Sequence, residues 1–246
     1  MTYEVMHLII LNTVKNFILY WKGNAHFDLR VAGDGVASII RDGDEIDRGY
    51  IIPGNIWRRM GQQLVRSGRT IPACFGCTPQ DIHEHAKRFK AVEWAAFLLY
   101  YSIPLLQRRL PERFLDHWRK LVQIWSICIA KKVNQVQLAE LRVLVKDFII
   151  GTETLYYQGD RERVSNMNSN IHGLAHLPDA IEDMGPASGV WSFVIERYCG
   201  MLGEIVKRKS KSKLDESMAN AMRLEELLFN GSFARGSLAK TLREVM

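Results

Sequence analysis

The chain has 246 residues, 47% of them apolar, and a formal charge of +6 at pH 7. That length and apolar content exclude a wholly disordered chain and supply a core for one large domain or two small ones. The basic surplus favours an acidic partner, and four cysteines at irregular positions (74, 77, 128 and 199) exclude the disulfide framework of a small secreted domain, pointing to a reducing compartment.

The first element is a helix from Tyr3 to Trp21, with Met6, Ile10, Val14, Phe17, Ile18 and Trp21 on one face. Its start lacks the basic residues of a secretory leader, and Lys15 interrupts its apolar pattern. A polar, glycine-bearing connection runs from Gly23 to about Tyr50 and holds six acids against three bases between Asp28 and Arg48. A short helix near Asn55 to Val65 precedes an irregular stretch, SGRTIPACFGCTPQDI. Lys90 to Gln107 is the next helix, kinked or ended by Pro104, and Pro111 suits the first turn of another from Glu112 to Lys132. The longest uncharged apolar run, Trp94 to Leu106, falls short of the roughly 20 residues that span a bilayer, so no membrane partner is expected.

Gln135 to Gln158 carries Leu138, Leu141, Val145, Phe148 and Ile149 at helical spacing, and polar Gly159 to Asn170 reads as a loop. From Ile171 the pattern is helix, a stop at Gly185-Pro186, then a second helix with Trp191, Val194, Ile195, Tyr198, Leu202 and Ile205 on one stripe. Leu214 to Phe229 forms a last helix opened by Asp215 and Glu216. The fold expected is all-α or mostly α, a multi-helix bundle. Its parts are 1–50, an N-terminal helix and polar connection; 51–213, a helical domain; and 214–246, a helix with a loose tail.

Several residue groups can carry chemistry. Glu196 points away from the apolar stripe of its helix, and its neighbours Ser192, Cys199, Gly200 and Gly203 are small, so a ligand or another backbone can approach it. Cys74, Cys77, His83 and His85 are four potential zinc ligands, but their spacing lacks the longer loop of zinc sites. His172 and His176 stand at i and i+4, a spacing that can hold a metal, without the accompanying glutamate of a zinc protease; helix packing is the reading expected. Lys207, Arg208, Lys209, Lys211 and Lys213 place five positive charges within seven residues, suited to DNA phosphates or to nuclear import.

Four blocks occur in order: E-V-M-H-L-I-I-L-N at 4–12, T-I-P-A-C-F-G at 70–76, A-V-E-W-A-A-F-L-L-Y-Y-S-I-P-L-L at 91–106, and I-H-x-L-x-H-L-P-D-x-I-x-x-x-G-P at 171–186 followed by W-x-F-x-x-E-R-Y-C-G. In combination they resemble fungal CACTA-like transposases, in particular the Plavaka-like group. The resemblance implies a ribonuclease-H-like enzyme in which two aspartates and a glutamate hold Mg2+ ions, with a helical insertion before the glutamate. Under it Glu196 is the third acid and metal ligand, and Glu4 and His7 fall on the family's Asp/Cys-x-x-His motif, with glutamate replacing the first residue. The family's aspartates precede that motif, so the expectation is a truncated or domesticated transposase, nuclear, without strand transfer, Mg2+ or another cofactor. It would keep DNA affinity through residues 207–213, and self-association or a protein partner would cover the first helix. The alternative is a helical protein-interaction module with no nucleic-acid role.

Overall fold

Apolar residues recurring every three to four positions become helices throughout, and the described residues contain no strand. The computed structural model describes residues 4–23, 47–71, 78–189 and 192. Helix α1 begins as a π-helical segment, Met6–Val14, and continues as a regular α-helix, Lys15–Trp21. In its wider turn Thr13 Oγ1 donates to the Leu8 carbonyl 2.8 Å away, five residues back. All six residues of the expected apolar face are buried. Gly23, at φ 73°, ends the helix in the left-handed conformation that costs a glycine nothing.

Chain reversal brings the next described segment back onto the end of α1, where the Ile52 amide donates to the Trp21 carbonyl (2.7 Å). Helix α2, Gly54–Ser67, buries Trp57, Met60, Gly61 and Leu64. It is followed by the short α3, Ile82–His85, and a 3-10 turn, Ala86–Arg88. Asp81 caps α3 by accepting from the amides of His83 (2.8 Å) and Glu84 (3.2 Å). The capping carboxylate lies against Gly61, where an added Cβ would stand 1.9 Å from Asp81 Oδ1, so this crossing requires glycine.

Helix α4 runs from Ala91–Ala96 through a π-helical segment, Phe97–Tyr101, into Ser102–Leu106. Pro104 therefore lies inside the helix, which ends two residues later. The missing proline N–H falls just past the π turn, where the backbone ladder is already rearranged. Pro111 is the N-cap of α5, Glu112–Cys128. That helix stops short of Lys132 because the chain needs the following residues to reverse: Asn134 opens α6, Gln135–Thr152, by a reciprocal capping pair with Gln137. Helices α5 and α6 form a hairpin, and α6 continues as a third π segment, Glu153–Tyr157, closed by Gln158 at φ 55°. The expected loop after it holds a 3-10 turn, Arg161–Asn166. Two short helices follow, α7 (Ser169–Leu174) against the π segment of α1 and α8 (Leu177–Met184) against α6.

The core is aromatic. Phe17 meets the rings of Tyr20, Trp21, His117, Trp118, Phe148 and Tyr156 at centroid distances of 5.0 to 6.3 Å. Both indoles of this group find acceptors: Trp21 Nε1 donates to Tyr156 Oη (3.2 Å) and Trp118 Nε1 to Ser102 Oγ (2.8 Å). His117 stacks on Phe148 with centroids 4.3 Å apart, and its Nε2 donates to the Phe148 carbonyl (2.9 Å). Burial pulls its pKa down to about 4, so this histidine is a neutral core residue. Cys128, fully buried at the end of α5, has its thiol pushed up to about 12 by the same cause. The chain divides after Trp191 into two compact units, Met1–Trp191 and Ser192–Met246, and every element above belongs to the first.

Candidate nucleic-acid interface

Helix α2 carries its arginines without an acid: Arg58, Arg59 and Arg66 lie within it and Arg69 in the turn that follows. At 100° per residue Arg58 and Arg66 fall on one stripe with Gln62, and Arg59 borders it, opposite the buried face of Trp57, Met60, Gly61 and Leu64; Arg69 follows in the turn beyond the helix end. All four arginines are exposed. Four other arginines face carboxylates: Arg113 pairs with Asp47, Arg119 with Glu112 and Asp116, Arg142 with Asp179 and Glu182, and Arg163 with Asp160. Among the described residues no ion pair reaches any of the four on α2.

The helix dipole favours a cation such as Arg66 in the last turn. It gives Arg58 and Arg59, in the first half, no such benefit. Behind them the helix is held firmly: Trp57 Nε1 donates to the Trp21 carbonyl (3.3 Å), and Lys22 Nζ stands over the Trp57 ring, 5.1 Å from its centroid. Burial lowers the Lys22 pKa, and Asp81 opposes that shift. The result is an anchored helix whose arginine face meets no carboxylate among the described residues.

Beside this face lies an open cavity of about 340 Å3, lined by Gln63, Leu64, Ser67 and Ile71 on one side and by Tyr100, Tyr101, Pro104 and Leu105 on the other. The π segment of α4 is the stretch that carries both tyrosines. Arg109 ties the two walls together, donating to Gln63 Oε1 (2.6 Å) and to the Leu105 carbonyl. A volume of this size is at the lower end of the roughly 300–1,000 Å3 range of small-ligand sites.

The histidines divide differently from expectation. His172 belongs to α7, whereas His176 is the N-cap of α8, so the pair spans two helices. The rings still converge, with Nε2 atoms 3.3 Å apart, one donating and the other accepting. Two imidazoles so placed can share a metal ion, but among the described residues no group of three or more ligating side chains gathers anywhere. His83 stands beside Glu84, Nε2 to Oε1 3.8 Å, and His85 follows on α3; Cys74 and Cys77 lie outside the described residues.

Glu4 and His7 meet at the head of α1. The Glu4 carboxylate accepts from the amides of Met6 (3.2 Å) and His7 (2.7 Å) and from His7 Nδ1 (2.6 Å). This is the geometry of a helix-capping acid with a histidine locked onto it. Glu196 and the run Lys207, Arg208, Lys209, Lys211 and Lys213 lie outside the described residues. No described helix is long and apolar enough to cross a membrane.

Sequence reading missed the α2 arginines, although the signal was present in the acid-free stretch GNIWRRMGQQLVRSGRT. It also missed the cavity, whose walls come from residues far apart in the chain. Comparison of the chain with protein-family models, with curated proteins and with solved structures returns no match.

Proposed function

We propose that this protein is a helical nucleic-acid-binding module of transposase descent that grips phosphates through α2. The observation that carries this reading is the exposed arginine face of α2, with no acid in the helix and, among the described residues, no ion pair to any of its arginines. Guanidinium groups match phosphate oxygens in pairs, and a face of this kind neutralises a backbone without reading its sequence. The motif blocks that resemble those of CACTA-like transposases support DNA as the polymer, and residues 207–213 add a second basic element to the same task, consistent with a nuclear protein.

The test is binding of the full chain to a labelled DNA duplex across a salt series. Changing Arg58, Arg59, Arg66 and Arg69 together to Gln should weaken binding at least ten-fold at low salt and flatten the salt slope by up to about 0.9 for each phosphate left without its arginine. Affinity and slope equal to those of the parent chain would overturn the assignment to α2. The same measurement on a chain lacking the charges of residues 207–213 apportions the remaining affinity.

A second reading, a protein-interaction module, rests on a different observation. Val136, Val143 and Ile150 recur every seven residues along α6 and are 76%, 60% and 46% exposed. Such a row is what a partner helix would cover. If that reading holds, replacing all three by Asp abolishes a complex seen by sedimentation and leaves DNA affinity untouched.

A further inference from the structure

The cavity between α2 and α4 shares a helix with the arginine face, and its chemistry suits one kind of occupant. Its walls are mostly apolar, with Tyr100 46% exposed at the mouth and its ring near-perpendicular to that of Tyr101. The α2 wall contributes an amide and a hydroxyl, and the α4 wall the two tyrosine hydroxyls. Gln63 accepts from Arg109 through Oε1, leaving its amide nitrogen to donate, and Ser67 Oγ donates to the Leu64 carbonyl (2.7 Å), leaving its lone pairs to accept. An aromatic ring with a donor and an acceptor set against one edge describes what a nucleobase needs: a stacking surface for its face and partners for its rim. Gln63 and Ser67 belong to the helix that carries Arg59 and Arg66, and Arg58 and Arg66 are about 12 Å apart along its axis, a span that several successive phosphates of one strand can follow.

We propose that the cavity receives an unstacked base of a single nucleic-acid strand whose phosphates run along the arginine face of α2. The inference rests on the phosphate-binding reading of that helix and adds the ligand of the adjoining cavity. Stacking is sequence-tolerant, because every base has a π face, so the site adds affinity for single strands without a strong base preference. Paired bases inside a duplex cannot enter.

Fluorescence anisotropy separates the two readings by using strands that share phosphates and differ in bases. The full chain is titrated with a labelled oligothymidylate and with a strand of equal length made wholly of abasic residues. The oligothymidylate should bind about five-fold or more tightly than the abasic strand. Tyr100→Ala and, separately, Gln63→Ala should bring its affinity down toward that of the abasic strand and leave abasic binding unchanged, which also shows that each variant is folded. Equal affinity of the parent chain for both strands overturns the base site and leaves the phosphate reading standing. Failure of both strands to bind at low salt overturns both. If free thymidine monophosphate competes away the base-dependent part at micromolar concentration, the cavity is a mononucleotide site and the strand proposal falls.

Discussion

Two regions built from similar side chains end differently. Around Phe17, rings from α1, α5 and α6 close on one another, and a histidine is stripped of its charge to fit among them. Between α2 and α4, two tyrosines and a proline meet leucines and stop short, leaving a cavity of about 340 Å3 beside four arginines that pair with no carboxylate among the described residues. The first arrangement removes as much apolar surface from water as it can. The second leaves apolar surface and charge standing side by side, which contributes little to folding and gives a ligand something to gain. The contrast teaches where to look for stability and where for binding in this fold.

The sharpest way to break the contrast is to cut the core at its centre. Phe17→Ala removes the ring that six others surround and should cost about 3–5 kcal/mol in urea unfolding. A loss under about 1 kcal/mol would mean that the cluster repacks freely and is no tighter than the α2/α4 face. Acid attacks the same region. His117 titrates near 4 in the folded chain against an ordinary 6.5, so between those values the unfolded chain holds a proton that the folded chain refuses. Stability from this group is complete above pH 6.5 and falls as the pH drops toward 4. The loss from pH 7 to pH 4 should be about 3 kcal/mol greater than in His117→Gln, and parallel curves for the two proteins would contradict the buried neutral state.

Smaller effects belong to the outer face. Asp81→Ala deletes the cap of α3 and should cost about 1 kcal/mol, seen as a lower urea midpoint with unchanged slope. Arg58→Gln with Arg66→Gln should move stability by no more than about 0.5 kcal/mol while weakening DNA binding. A large fall in stability from that pair would show that the arginines hold the fold together and would erase the distinction between the two regions.

Much of the helical framework was readable because burial is periodic within a segment. Met6, Ile10, Val14, Phe17, Ile18 and Trp21 share a face by spacing alone, and all of them are buried. Boundaries set by local chemistry were readable too, such as Pro111 before α5. What escaped depends on meetings between distant segments. Gly61 looks like a helix-weakening residue until Asp81 is found against it. Gly151 likewise makes room for the His117 ring, which an added Cβ would meet at 2.4 Å. His172 and His176 matched a one-helix spacing, yet the chain breaks between them and the rings converge across the break. Of the candidate site, the arginines were visible in composition, and the cavity was not, since no pattern within residues 63–71 announces Tyr100 or Leu105.

Cys128 gives the core a clock of its own. A thiol whose pKa burial has raised to about 12 is no nucleophile while the helices stay closed around it. Any maleimide that reaches it has waited for the fold to open. The labelling rate of that one sulfur therefore times the opening around the C-terminal end of α5, and a nucleic acid held on α2 slows the clock only as far as it stabilises the whole unit.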